Sequence, residues 1–126
     1  MYLRFVRLTA SRLRSVLSAA LLLQRTAVPH VARIGRVPGT EHFRNVSRHQ
    51  VEEMPGVVAL RIDESLLFTN ARALTDTVLA QLDDDTRRVV LQMSPVNTVD
   101  FSGLTALLAL DDDLHRRGIQ IGRAHV

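Results

Sequence analysis

The chain has 126 residues, of which 46% are hydrophobic and 23% are charged, and these values fit one small globular domain and leave no room for two. It contains no cysteine, which excludes disulfides, thiolate zinc sites and cysteine nucleophiles. It has no tryptophan and one tyrosine, a composition that argues against an aromatic platform for single-stranded nucleic acid.

The charge is distributed unevenly along the chain. Residues 1–50 hold nine arginines and one acid, Glu41, whereas residues 51–126 hold seven arginines and twelve acids. The local balances are therefore +8 and −5, which sum to the net charge of +3. A basic segment is joined to an acidic body, and this asymmetry has to be explained.

The first segment, residues 1–28, contains five arginines and no acid. A helix would place its apolar residues on one stripe, namely Leu3, Val6, Ala10, Leu13, Leu17 and Ala20. Its only dense apolar run is Val16 to Leu23, which is too short to cross a bilayer alone because a span needs about 20 residues. Three interpretations stay open: a targeting peptide, an amphipathic helix on an anionic membrane, or the stump of a longer hydrophobic helix.

The remaining residues predict alternating strands and helices. Strands are expected at His30–Val37, at Val57–Ile62 and at Arg88–Met93, the last two buried on both faces, and a further strand begins at Ile119. Val37 to Thr40 is expected to form a turn, and Glu41 to Glu53 is expected to be irregular.

One helix is predicted over Asn70–Leu82, with Asn70 as its N-cap, and a second opens at residues 100–103 and stops at Gly118. The second helix has a broad apolar face of leucines, namely Leu104, Leu107, Leu108, Leu110 and Leu114. This order predicts an α/β fold, a mixed sheet covered by helices on at least one face.

Two aspartate triplets, at residues 83–85 and 111–113, invite a metal interpretation. Asp112 and Asp113, however, stand four residues before Arg116 and Arg117, so that ordinary helix-surface ion pairs are the stronger reading. The five histidines are scattered, and none has metal-site spacing. We find no catalytic residue pattern and expect neither an enzyme nor a metal site.

One loop stands out, residues 97–103, which lies between a buried strand and the second helix. Asp100 or Ser102 can cap this helix, and the free amides of its first turn would accept an anion such as a phosphate. Simple capping is the commoner role for such residues, and spacing alone favours it.

Three segments together resemble the STAS domain, in particular the cytosolic C-terminal STAS domain of SulP-type anion permeases. They are His30–Asn45 (HVARIGRVPGTEHFRN), Leu60–Ala71 (LRIDESLLFTNA) and Val99–Leu107 (VDFSGLTAL). The resemblance implies a STAS-like fold, a mixed sheet with helices similar to that of the anti-sigma factor antagonists. It also implies that the domain is truncated after the second main helix, because such domains continue through a further strand and helix.

The resemblance implies regulation of a sulfate or anion permease, not catalysis. The site would be the nucleotide- or partner-binding loop of Asn97, Asp100, Phe101, Ser102 and Gly103. The expected partner is the membrane transport domain of the same permease, at the cytoplasmic side of a bacterial inner membrane. A regulatory protein, a nucleotide and a homodimer stay open, and no nucleic acid is expected.

The alternative is a free-standing cytosolic STAS regulator that resembles the anti-sigma factor antagonists. Such regulators are phosphorylated on the first serine of the loop, where this sequence has Phe101, with Ser102 matching only the second position. This departure puts a kinase switch in doubt and weakens the alternative.

Three regions are therefore expected. Residues 1–28 form a basic and hydrophobic segment that contains the stump of a last membrane helix behind a non-native start. Residues 29–120 form an incomplete STAS domain. Residues 121–126 match one reading frame of a widely used sequencing adapter and are expected to be a non-native tail.

Overall fold

The structure is a computed structural model that describes residues 2–46 and 50–124. In chain order its elements are helix α1 (Tyr2–Thr26), strands β1 (Val31–Arg36), β2 (Phe43–Asn45) and β3 (Val57–Ile62), helix α2 (Leu74–Leu79), strand β4 (Arg88–Gln92), helix α3 (Phe101–Arg116) and strand β5 (Gln120–Ala124). A short 3-10 turn, Ala71–Ala73, leads directly into α2. His125 and Val126, the end of the expected tail, lie outside the described residues.

The five strands form one mixed sheet in the order β2-β1-β3-β4-β5. Strand β1 is antiparallel to both β2 and β3, whereas β3, β4 and β5 run parallel. The prediction of an α/β fold with a mixed sheet is confirmed. The carboxyl ends of the three parallel strands meet at one side of the sheet, which we call the carboxyl edge, and their amino ends meet at the amino edge.

The core lies between the sheet and helices α2 and α3. Alternate residues of β3 and β4 are buried and form one cluster with the inward residues of both helices, among them Leu60, Val89, Leu74 and Leu110. The intervening residues of β3 are only half-buried. The prediction that these strands are buried on both faces is therefore wrong, because α2 and α3 pack on one face of the sheet.

Two further predictions need correction. The segment Glu41–Glu53 is not irregular throughout, because residues 43–45 form the short edge strand β2, which its mostly exposed residues did not reveal. The first body helix is shorter than predicted, and Asn70 makes no side-chain hydrogen bond to its amides. The end of α3 is as predicted, because Gly118 has a φ of 72°, which glycine adopts without strain.

Helix α1 differs from α2 and α3 because none of its residues is buried. Its predicted apolar stripe is present and entirely exposed. Among the described residues, no helix combines the length and the apolar character that crossing a membrane requires. Pro29, three residues after α1, is fully buried and anchors the start of the body.

Candidate functional site

Two loops meet at the carboxyl edge, one after β3 and one after β4. Leu66 of the first loop and Val99 of the second form a parallel bridge. The Leu66 amide donates to the Thr98 carbonyl over 3.0 Å, and the Asp100 amide donates to the Leu66 carbonyl over 3.1 Å. These bonds extend strand-like pairing beyond the sheet, so that the two loops form one unit.

Asp100 joins the loops through its side chain as well. One carboxylate oxygen, Oδ1, accepts the amide of Gly103 over 2.8 Å, and the other, Oδ2, accepts the amide of Phe68 over 2.8 Å. The first bond is an N-cap of α3, as predicted, and places a negative charge at the positive end of the helix dipole. The second bond, to a loop about thirty residues earlier, was not predicted.

Gly103 allows this close approach. An added Cβ at this position would lie 2.4 Å from the carbonyl oxygen and 2.9 Å from the Cβ of Leu66, and Leu66 itself is fully buried. The first turn of α3 therefore packs directly on the backbone of the preceding loop, and any side chain at residue 103 would displace it.

Asn70 stabilises the first loop from within. Its Oδ1 accepts the Leu67 amide and its Nδ2 donates to the Ser65 carbonyl, each over 2.9 Å. The hydroxyl of Ser65 in turn accepts the amide of Thr98 over 3.2 Å. Asn70 is buried, so it serves as a loop bracket and not as the helix cap that its position suggested.

These bonded loops present apolar side chains to solvent. Phe68 is 76% exposed and Phe101 is 84% exposed, and the outward face of α3 continues with Leu104 at 50% and Leu108 at 62%. We call Phe68, Val99, Phe101, Leu104 and Leu108 the apolar surface. The leucine face predicted for α3 is thus split, since Leu110 and Leu114 are buried while Leu104 and Leu108 point away from the core.

Of the five predicted site residues, the structure places Asp100, Phe101, Ser102 and Gly103 at the start of α3 and Asn97 in the preceding loop. Asn97 and Ser102 are exposed. Both oxygens of Asp100 already accept backbone amides, so a phosphate bound at this turn would meet a carboxylate. Nucleotide binding here stays a prediction.

Sequence reasoning missed that Phe68 and Asn70 belong to this site. The signal was present in the segment Leu60–Ala71, which carried part of the family resemblance. Local sequence patterns did not show that this segment forms the other half of the loop pair, because residues 66 and 99 are far apart in sequence.

A polar cluster lies beside the loops at the junction with α1. Nδ1 of His30 is 2.8 Å from Asp63 Oδ2, the His30 amide donates to Glu64 over 2.7 Å, and the Arg61 guanidinium hydrogen-bonds the Asp63 carboxylate. Desolvation alone would raise the pKa of Asp63, but the hydrogen bonds from Arg61 and His30 together hold that pKa below its usual value. The cluster fixes the start of β1 to the end of β3.

The amino edge carries a different arrangement. Arg33 donates to Glu53 over 2.6 Å and to Asp83 over 2.9 Å, and these three residues line an open cavity of about 400 Å³. The hydrogen bond to Asp83 is the largest influence that raises the pKa of Arg33.

The aspartate triplet at residues 111–113 forms the helix-surface ion pairs that the sequence predicted. Arg116 lies 3.5 Å from Asp112, and Arg117 lies 3.0 Å from Asp113. These are exposed pairs on the outer side of α3, and each contributes little to stability.

The chain is similar to segments of much longer membrane transporters. It is 36% identical over 114 residues to a probable sulfate transporter of Mycobacterium tuberculosis, and the aligned region covers 87% of this chain and 20% of that protein. It is 32% identical over 115 residues to Sulfate transporter 1.3 of Arabidopsis thaliana, and the aligned region covers 82% of this chain and 17% of that protein. The chain thus spans a fifth or less of the length of these two relatives.

A solved structure shows the same fold. The murine Solute Carrier 26 family member A9 anion transporter, in its inward-facing state, matches with a TM-score of 0.72 over 88% of this chain and 19% of that chain, at 24% sequence identity. The family model described as the STAS domain matches residues 48–122, which contain β3, β4, α3 and both loops of the carboxyl edge. With the mixed sheet, the bonded loop pair and these sulfate-transporter relatives in agreement, the chain belongs to the STAS domain family.

Proposed function

We propose that this chain is the non-catalytic regulatory domain of a sulfate or anion permease, on the cytoplasmic side of a bacterial inner membrane. It would act by docking its carboxyl edge against the membrane transport domain of the same polypeptide. The observation that carries the proposal is the apolar surface. The membrane-transporter relatives support the choice of partner.

The apolar surface has the properties of a docking site. Contiguous exposed apolar side chains on a soluble domain mark contact regions, and aromatic residues are the commonest anchors in them. Phe68 and Phe101 are more than three-quarters exposed, and the carboxylate of Asp100 bonds the backbone amides of Phe68 and of Gly103, two residues after Phe101. A surface held in this way loses little conformational entropy on binding.

The polar groups at this edge are already engaged in positioning roles. Asp100 accepts two amides, Asp63 pairs with Arg61 and His30, and Asn70 brackets its loop. Their arrangement supports a scaffold for contact, in which the charged groups hold the loops and the apolar groups meet the partner.

A chimeric permease tests the proposal. This chain replaces the matched region of the Mycobacterium tuberculosis relative, and sulfate uptake is measured in a bacterial strain without its own sulfate uptake. We expect the chimera to transport sulfate. The double substitution Phe68→Ser and Phe101→Ser should lower uptake about tenfold or more, because buried aromatic anchors contribute about 2 kcal/mol or more each to a contact.

The matched control is Met54→Ser, because Met54 is 67% exposed and lies near the amino edge. It removes a comparable apolar side chain and should leave uptake unchanged. Immunoblots of the membrane fraction verify that all variants reach the membrane in equal amounts. Equal uptake by the unsubstituted and doubly substituted chimeras would contradict the proposal.

A further inference from the structure

We propose that α1 lies along an anionic membrane surface, with its arginines toward the lipid headgroups and its apolar face toward the acyl chains. This inference concerns α1 alone and does not depend on the docking of the apolar surface. It selects one of the three interpretations that the sequence left open for residues 1–28.

Four of the five arginines of α1 lie on one side of the helix, and the fifth, Arg12, lies more than a third of a turn away. Arg4, Arg7, Arg14 and Arg25 are separated by three, seven and eleven residues, spacings close to whole turns. Ser11 and Ser18 project from the same side by the same periodicity. The helix contains no acid, so nothing within it offsets this positive face.

The apolar side of α1 lies next to this basic side, about a third of a turn around the helix. Val6, Ala10, Leu13, Leu17 and Ala20 follow one another at steps of three or four residues, and all of them are exposed. A helix with a basic face and an apolar face binds in the headgroup region of anionic bilayers, where both faces find a favourable environment. The charge complementarity between four aligned arginines and anionic lipid is the reason for choosing a membrane as the occupant.

Hydroxyl groups of α1 donate hydrogen bonds to carbonyls of the same helix, which is compatible with burial beside lipid. The Thr9 hydroxyl, which projects from the apolar side, donates to the Phe5 carbonyl over 2.9 Å. The Thr26 hydroxyl likewise donates to the Leu22 carbonyl over 3.2 Å. A hydroxyl that is bonded within the helix costs less to bury beside acyl chains than a free one.

The position of α1 in the fold gives the inference a structural consequence. Pro29 is buried, and His30 is bonded to Asp63 and Glu64 at the carboxyl edge. The helix therefore joins the body at the edge that carries the apolar surface. If α1 lies on the membrane, the same edge of the domain is held close to the bilayer.

The test uses the full chain with vesicles in a flotation assay. One vesicle population is phosphatidylcholine alone, and the other is equal parts of phosphatidylcholine and phosphatidylglycerol. We expect binding to the anionic vesicles only, and we expect high salt to weaken it, since the screening length falls from about 10 Å at 0.1 M salt to about 3 Å at 1 M. Binding that is equal for both vesicles and insensitive to salt would overturn the inference, as would no binding at all.

A matched pair of triple variants separates the helix face from net charge. Arg4→Gln, Arg7→Gln and Arg14→Gln together should weaken binding about 100-fold, because each arginine near an anionic surface contributes about a factor of five. The control carries Arg44→Gln, Arg72→Gln and Arg87→Gln, which remove the same charge from exposed positions on the body, and should bind almost as well as the original chain. Equal losses in both triple variants would overturn the inference.

Two tryptophan reporters distinguish a surface helix from one that spans the bilayer or packs against another protein chain. The chain has no native tryptophan, so Leu17→Trp and Ser15→Trp, which lie nearly half a turn apart around the helix, each give a single signal from opposite sides of α1. On anionic vesicles we expect a blue-shifted emission for Leu17→Trp and little shift for Ser15→Trp. Equal shifts at both positions, or a shift of Leu17→Trp without vesicles, would contradict a helix lying on the membrane.

Discussion

The two edges of the parallel strands are built from different chemistry. At the amino edge, Arg33 is bonded to Glu53 and Asp83, and the buried Thr86 hydroxyl accepts the amide of Asp83 over 3.0 Å. At the carboxyl edge, backbone bonds, the Asp100 carboxylate and the Asn70 amide hold the loops, the ion-paired Asp63 lies beside them, and the aromatic side chains point outward.

This difference shows which groups the molecule satisfies internally and which it leaves exposed to water. The ion pairs of the amino edge meet their partners within the chain. The carboxyl edge satisfies its backbone groups within the chain and leaves its apolar groups in water, which is unfavourable in isolation. The contrast can be tested by disturbing the carboxyl edge and measuring stability.

The largest effect is expected for Gly103→Ala. Its Cβ would lie 2.4 Å from the Leu66 carbonyl oxygen, so α3 and the preceding loop have to move apart. We expect a loss of about 3 kcal/mol in the free energy of unfolding, the upper range for an overpacked contact, measured by urea titration. Gly122→Ala is the control, because its added Cβ meets nothing closer than 3.8 Å. A loss below about 0.5 kcal/mol for Gly103→Ala would show that the loops are not packed as described.

A smaller effect is expected for Asp100→Ala. It removes the N-cap of α3 and the bond to the Phe68 amide, and should cost about 1.5 kcal/mol. Asp100→Asn should cost less, because an amide oxygen can still accept one of the two amides. The control Ser102→Ala alters an exposed side chain in the same turn and should stay within about 0.5 kcal/mol of the original. If Asp100→Asn costs as much as Asp100→Ala, the negative charge at the helix end matters more than the number of bonds.

The elements of the sheet were predictable from local sequence. The run Val57–Ile62 was predicted as a strand and is β3 with the same bounds, because five of its six residues are β-favouring or apolar and it follows a Pro-Gly turn. The cap at Asp100 and the stop at Gly118 were also predictable, since both depend on chemistry within a few residues.

The pairing of the two loops was not predictable from local patterns. The bridge between Leu66 and Val99 joins residues more than thirty positions apart, and no local propensity encodes it. The same holds for Asn70, whose position suggested a cap but whose side chain bonds the loop before it. The outward direction of Leu104 and Leu108 likewise depends on how α3 packs, which the leucine spacing alone did not decide.

The smallest expected effect concerns the polar cluster beside the loops, and it depends on pH. Desolvation opposes ionisation of Asp63, but the bonds from Arg61 and His30 prevail and lower its pKa below the value of an unfolded aspartate, about 3.9. A carboxyl whose pKa is lower in the folded state stabilises the fold above the unfolded pKa, and this contribution is lost as the pH falls through the folded value. The original chain should therefore exceed Asp63→Asn in stability at neutral pH by less than about 1 kcal/mol, because the pairs are partly exposed.

This difference in the free energy of unfolding should shrink as the pH is lowered below about 4. Urea titrations repeated across the acidic range measure it. Asp111→Asn, at an exposed position on α3, serves as the control and should show no comparable pH-dependent difference. An advantage of the original chain over Asp63→Asn that stays constant into strong acid would mean that Asp63 contributes by packing and not by its charge. At the carboxyl edge, charge would then stabilise the fold at Asp100, at the start of α3, and not in the polar cluster.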